Sequence, residues 1–248
     1  MMLKTRVIPT LLHKDFGLVK GVRFDSRRAV GSPMQAVKVY NLRNVDELVF
    51  LDVTATAEGR GPDLELIDEL ADECFMPLAV GGGIRSVDDV RALLGVGADK
   101  VVIGTAALRT PDVVREAADR FGSQCVVVSV DTRNGEVCTK SGRIPTGRDP
   151  VDVARAVEEL GAGEILLQSI DEDGVMNGYD VATVARVSAA VSIPVIASGG
   201  AGTFSHMADV LRVGGASAVA AASMFHFTEQ TPMEAKQYLA EQGFPVRA

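Results

Sequence analysis

The 248-residue sequence has no tryptophan, three cysteines and three histidines. Cys74, Cys125 and Cys138 are odd in number and lack ligand spacing, which speaks for buried thiols rather than disulfides or a metal site. His13, His206 and His226 are equally dispersed, so no metal is expected and no cofactor is implied. A basic excess is missing too: the formal net charge of −8 argues against nucleic acid or a membrane surface as partner. No apolar run approaches the roughly 18 residues of a membrane span. The stretch Met1-Met-Leu-Lys-Thr-Arg6 lacks a secretory hydrophobic region, so a cytoplasmic location is expected. Linkers rich in Pro and Ser are absent, as are charge runs, which points to one domain over 1–248. Against the 5% of aromatic residues stand abundant Val, Ala and Gly, small side chains that let helices pack closely on strands in an α/β protein.

What is present is a glycine cluster closing an apolar run, Pro194-Val-Ile-Ala-Ser-Gly-Gly-Ala-Gly202. A strand ending this way turns backbone N–H groups and a helix N-terminus toward one spot, which suits a phosphate. Glycine in such a turn also has a purely steric reading. The cluster has an echo in Pro77-Leu-Ala-Val-Gly-Gly-Gly-Ile-Arg85, and Gly97-Ala-Asp-Lys-Val-Val-Ile-Gly-Thr105 is answered by Gly215-Ala-Ser-Ala-Val-Ala-Ala-Ala-Ser223. The offset is close to half the chain. A duplication of that length implies two like halves with two like phosphate sites.

Along the chain, apolar strands are expected at 6–12, 47–53, 78–80, 100–103, 125–130, 164–168, 195–197 and 218–222. Helices are expected at 34–44, 62–74, 87–95, 111–120, 150–160, 181–189, 206–213 and 233–242. A long loop at 13–33 and a polar excursion at 131–149 interrupt the alternation, and loops of such length are usually lids or binding loops. Eight strands, each followed by a helix, together with the duplication, predict a single (β/α)8 TIM barrel made of two similar half-barrels, with a doubly wound open sheet as the runner-up.

Chemistry in such a barrel sits at the C-terminal ends of the strands. The two phosphate sites would use Gly83 with Thr105, and Gly200 with Ser223 and Gly174. Asp131 is the best-placed acid, with the capping of the next helix as its structural alternative.

These residues resemble the cyclase-subunit family of imidazole glycerol phosphate synthase, the HisF-type barrels of histidine biosynthesis. The likeness covers essentially the whole chain. It is carried by Val19-Lys-Gly-Val22, Asp46-Glu-Leu-Val-Phe-Leu-Asp52, Gly81-Gly-Gly-Ile-Arg-Ser86, Phe121-Gly-Ser-Gln-Cys-Val-Val-Val128, Gly161-Ala-Gly-Glu-Ile-Leu-Leu167, Asp173-Gly174 and Ile193-Pro-Val-Ile-Ala-Ser-Gly-Gly-Ala-Gly202. The resemblance implies that a HisH-like glutaminase subunit docks at the N-terminal face of the barrel. Its ammonia would pass through the barrel to the bisphosphate PRFAR, a small phosphorylated ligand, where two strand-end aspartates act as acid and base. It also implies an ammonia gate of Arg6, Glu47, Lys100 and Glu164, a partner interface including Asp99 and Gln124, and a mobile substrate loop bearing Lys20. A structural salt-bridge ring is the alternative reading of the gate.

The sequence departs from that family's pattern at three positions. Leu12 stands where the family has the first aspartate, Gly104 where it has an asparagine, and Gln168 where it has a threonine. An intact entrance beside a lost acid resembles a HisF paralogue of surface-polysaccharide gene clusters. That resemblance implies ammonia delivery for amidination of an amino sugar, completed by a third, ATP-dependent sugar amidotransferase. The competing expectations are a cyclase in which Asp15 or Asp52 replaces the missing acid, and a non-catalytic phosphate-binding scaffold.

Overall fold

Strands without a polar face must be covered on both sides, and this requirement organises the chain. The computed structural model describes residues 4–247; the first three residues of the N-terminal stretch, and residue 248 at the end of the expected domain, lie outside the described residues. The strands are β1 (Arg6–Lys14), β2 (Gly17–Val22), β3 (Asp25–Gly31), β4 (Leu48–Asp52), β5 (Leu78–Gly81), β6 (Lys100–Ile103), β7 (Val126–Arg133), β8 (Glu136–Thr139), β9 (Ile144–Pro145), β10 (Glu164–Ser169), β11 (Val195–Ser198) and β12 (Ala218–Ala221). Eight of them pair in parallel in the order β10-β11-β12-β1-β4-β5-β6-β7, and β7 pairs with β10 to close the ring. The fold is a (β/α)8 TIM barrel, and the open-sheet alternative falls with the closing β7–β10 ladder.

The helices are α1 (Pro33–Leu42), α2 (Ala55–Glu58), α3 (Leu64–Glu73), α4 (Val87–Gly95), α5 (Thr105–Arg109), α6 (Asp112–Phe121), α7 (Pro150–Glu159), α8 (Val181–Ser188), α9 (Phe204–Arg212), α10 (Ser223–Phe227) and α11 (Pro232–Glu241). Local chemistry sets their starts. Asp63, Ser86, Asp149, Asp180, Thr203 and Thr231 each cap the following helix by accepting a backbone N–H, with reciprocal capping boxes at Ser86/Asp89 and Thr231/Glu234. The apolar faces of these helices pack on outward side chains of the strands, including Val7, Leu11, Phe50, Val101, Val128 and Ile165. A separate apolar cluster fills the barrel lumen.

The structure corrects the loop expected at 13–33. β1 runs on to Lys14 and turns back through Asp15 and Phe16 into β2, which pairs with β3 to form a hairpin. Asp15 takes φ 55, the left-handed first position that tight hairpin turns favour. The excursion at 131–149 likewise contains β8, paired antiparallel with the extended end of β7, and β9, paired antiparallel with β8. Alternation was legible only for strands buried on both faces; these half-exposed ribbons carry glycine and charge. The short helices α5 and α10 were also unforeseen, and they occupy matching places after β6 and β12 in the two halves.

Candidate functional site

Side chains alternate across a strand, so every second residue of each barrel strand shares the lumen. Three tiers result. At the N-terminal end, Arg6, Glu47, Lys100 and Glu164 form a ring of alternating charge. Arg6 Nη1 donates to Glu47 Oε2 at 2.6 Å and to Glu164 Oε2 at 3.1 Å, while Lys100 Nζ reaches the same carboxylates at 2.9 and 3.2 Å. Burial alone would lower the Arg6 guanidinium, but Glu47 and Glu164 overrule it and hold its pKa above the ordinary arginine value. Glu47 Oε1 is buried with no partner among the described residues. The ring expected from the sequence is thus assembled, and one acceptor is left over.

Above the ring lies an apolar belt of Ile8, Val49, Ala79, Val102, Val127, Leu166, Ile196 and Ala218. Beyond the belt is the mouth, which holds two adjoining cavities. Gly83, Gly104, Thr105, Ser129 and Asp131 line the larger one. Thr10, Lys20, Gly174, Gly200 and Ser223 line the smaller. Leu12, Gln168 and Asp173 line both. The residues of each expected anion site are therefore brought together, one set per cavity, with Leu12 on the boundary between them.

Positive backbone angles shape both glycine turns. Gly83 has φ 75 and Gly200 φ 106, and an added Cβ would come within 2.7 Å of Arg60 O and 1.9 Å of Gly178 O respectively. Neither Gly104, before α5, nor Ala222, before α10, supplies a side-chain cap. In the smaller cavity the hydroxyls of Thr10 and Ser223 are buried with no hydrogen-bond partner among the described residues, although a buried hydroxyl normally finds one. In the larger one Thr105 Oγ1 accepts from Lys140 N at 2.9 Å, and the Gly83 N–H donates to Thr56 Oγ1 at 3.3 Å.

Asp131 caps no helix, since Asp149 does so for α7. Its Oδ1 accepts from Ser129 Oγ at 2.8 Å. Burial, only partly offset by Ser129 and reinforced by Asp173, pushes its pKa up to about 6. Asp52 is the opposite case. Its carboxylate accepts from Thr54 N, Thr54 Oγ1, Ala55 N and both Arg60 Nη atoms. Burial would raise it, but these donors together hold it below the usual carboxylate range. Asp15 sits at the hairpin tip with a side chain 62% exposed. Of the two, Asp52 lines the larger mouth cavity, where its carboxylate is already engaged by Thr54, Ala55 and Arg60. His13 lies on the outward face of β1, with its ring centroid 5.4 Å from that of Phe50.

Lys20, expected on a mobile loop, is instead 1% exposed on β2, with Nζ 2.6 Å from Asp173 Oδ1. Arg23 extends the attachment, its backbone N–H donating to Asp173 O at 2.8 Å and its Nε to Asp171 O at 3.0 Å. The β2–β3 hairpin is thereby docked beside the mouth. Asp99 and Gln124 are exposed at the opposite end, where Asp99 Oδ2 accepts from Leu78 N at 2.8 Å and Gln124 Nε2 donates to Phe121 O at 3.1 Å. Sequence reasoning missed Ser129 and Thr10. The two-residue period backward from Asp131 and Leu12 would have found both. Among the described residues, no group of three or more His, Cys, Asp or Glu is placed to hold a metal ion, and no helix is long and apolar enough to cross a membrane.

Over residues 6–231 the chain matches the family described as histidine biosynthesis protein. It is also similar to the imidazole glycerol phosphate synthase subunit HisF of Caulobacter vibrioides (strain NA1000 / CB15N), with 52% identity over 252 residues, covering 99% of this chain and 97% of the relative.

Proposed function

Since this chain belongs to the histidine biosynthesis family and is of its HisF type, we propose that it is the cyclase subunit of an imidazole glycerol phosphate synthase, converting PRFAR and ammonia to imidazole glycerol phosphate and AICAR. The observation that carries this reading is Asp131: a carboxyl with a pKa of about 6 in the larger of two adjoining cavities, at the mouth of a barrel with a charged entrance at its far end. A group titrating there holds or releases a proton near neutral pH at little cost. The two cavities suit the two phosphates of a bisphosphate, with backbone N–H groups and the free hydroxyls of Thr10 and Ser223 as donors. The apolar belt suits the passage of neutral ammonia and disfavours ammonium, which would lose its hydration there.

On this reading a HisH-like glutaminase docks at the ring end, against Asp99 and Gln124. The exposed Leu42 and Phe75 add apolar area where the α1 and α3 ends meet, joined by Asn41. A cytoplasmic setting follows from the pathway. Turnover of PRFAR with ammonium salt, and with glutamine plus a glutaminase subunit, tests the reading; no turnover in either assay removes it.

One specific observation favours a second reading. Leu12, 7% exposed between the two cavities, gives the mouth an apolar side chain where ring closure needs a second proton carrier. An ammonia-delivering subunit whose cyclase step is lost, serving amidination of a surface-polysaccharide sugar through a third ATP-dependent enzyme, would tolerate it. The likeness to a synthase subunit supports the cyclase.

A further inference from the structure

Arg27, on β3, lines the larger mouth cavity, yet no residue that the resemblance singles out is at its position. Its side chain is half-buried and makes no hydrogen bond or ion pair among the described residues. The carboxylates sharing that cavity are already engaged. Asp52 is held by Thr54, Ala55 and Arg60, Asp173 by Lys20, and Asp131 by Ser129. The cation is also kept in place, because Lys20 and Arg23 fasten the hairpin to Asp173 and Asp171. Burial and the neighbouring Arg143 lower the Arg27 pKa against the pull of Asp173 and Asp25. A half-buried guanidinium that lines a cavity and has no side-chain partner of its own among the described residues is set up for an anionic oxygen group from outside, which its planar fork binds through two parallel bonds.

We propose that Arg27 is an arginine clamp on the phosphate group held at Gly83 and Thr105, making the two half-barrel anion sites unequal: one closed by a hairpin arginine, the other built from the hydroxyls of Thr10 and Ser223. This rests on the two-phosphate reading above. The asymmetry has a structural origin. The β2–β3 hairpin brings Arg27 to the larger cavity, whereas its Lys20, which lines the smaller one, is already paired with Asp173, so the smaller cavity has no unpaired cation among its lining residues. Arg27 thus selects which end of a bisphosphate enters the larger cavity and lies beside Asp131.

The test is a titration of the full-length 15N-labelled protein with inorganic phosphate. The backbone amides of Gly83 and Thr105 report one site, and those of Gly200 and Ser223 the other. Both sites should titrate in the unmodified protein. Arg27→Gln should weaken the first site by about 10–100-fold, the value of a charge-assisted bond, and leave the second unchanged. Arg27→Lys should recover part of the loss, because it keeps the charge without the fork. Equal titration of the first site with and without Arg27 overturns the clamp and leaves the two-phosphate reading standing, and so does weakening of both sites alike. Should acetate titrate the first site as tightly as phosphate, the group clamped is a carboxylate and the assignment to phosphate is wrong. If either site of the unmodified protein fails to respond to phosphate, the two-phosphate reading falls and the clamp with it.

Discussion

Lys20 Nζ lies 2.6 Å from Asp173 Oδ1, with the two side chains only 1% and 7% exposed. Removing one partner of so buried a pair strands the other charge, at a cost of about 3–5 kcal/mol. Lys20→Met should therefore lower stability and free the hairpin from the mouth. Hydrogen exchange across 17–31 reads this directly. Unchanged protection there would mean that the pair does not hold the hairpin.

Asp131 makes stability depend on pH in a defined sense. Its folded pKa, pushed up to about 6, lies above the ordinary aspartate value of 3.8, so the folded protein holds the proton more tightly and loses stability as pH rises between the two. The full penalty applies above pH 6. Asp131→Asn removes it while keeping an acceptor for Ser129, so the variant should gain ~1–3 kcal/mol at pH 7.5 and nothing at pH 3.5. The same variant should lose PRFAR turnover by about 10²–10⁴-fold. Thermal melts at the two pH values decide the first point; equal gains at both would show that the Asp131 carboxyl is not perturbed by its site.

Leu12 is the position at which the mouth is poorest in proton carriers. Restoring a carboxylate with Leu12→Asp, paired with Gly104→Asn, should raise cyclase turnover by at least about tenfold, against the roughly 10²–10⁴-fold that a positioned acid or base contributes. Gly104 has φ −101, and an added Cβ would meet only Ser129 Cβ at 3.9 Å, so the asparagine fits. The new aspartate beside apolar neighbours will cost stability. A steady-state assay with PRFAR and ammonium gives the answer, and normal family rates in the unmodified protein would show that position 12 does not limit the reaction.

The charge ring should fail asymmetrically. Glu47 is 2% exposed and shares Oε2 between Arg6 and Lys100, with Oε1 unpartnered. Lys100→Met removes one of its two cations and should destabilise the fold by roughly 3 kcal/mol or more. If the ring is also an ammonia gate, glutamine hydrolysis by a bound glutaminase will uncouple from product while turnover with free ammonium is retained. Loss of stability with coupling intact would leave the ring a structural device.

The exposed docking residues give a milder expectation. Charge reversal at Asp99 removes the acceptor of Leu78 N, a bond worth about 1 kcal/mol, and places the wrong sign beside Lys100. Co-purification with a glutaminase subunit should weaken. Full retention of binding would exclude this edge from the interface.

By itself the sequence determined the barrel, because parallel strands buried on both faces must be continuous apolar runs and each must be followed by a covering helix. The half-chain echo likewise placed Gly83 with Thr105 and Gly200 with Ser223, since the positive φ of both glycines and the backbone packed against them leave no room for a Cβ. What only the tertiary structure decided concerns groups whose behaviour depends on distant neighbours. Lys20 became a buried ion-pair partner through Asp173, far along the chain, and the Asp131 pKa rose because its burial at the barrel mouth disfavours the charged form. Asp52 became an acceptor for Thr54, Ala55 and Arg60, donors set by the turn into α2. The β2–β3 hairpin escaped the pattern because half-exposed ribbons carry glycine and charge, and only its docking brings Arg27 to the cavity. Periodicity records which face of an element is dry; it does not record which side chains from separate elements converge on one space, and that convergence sets the chemistry of the mouth.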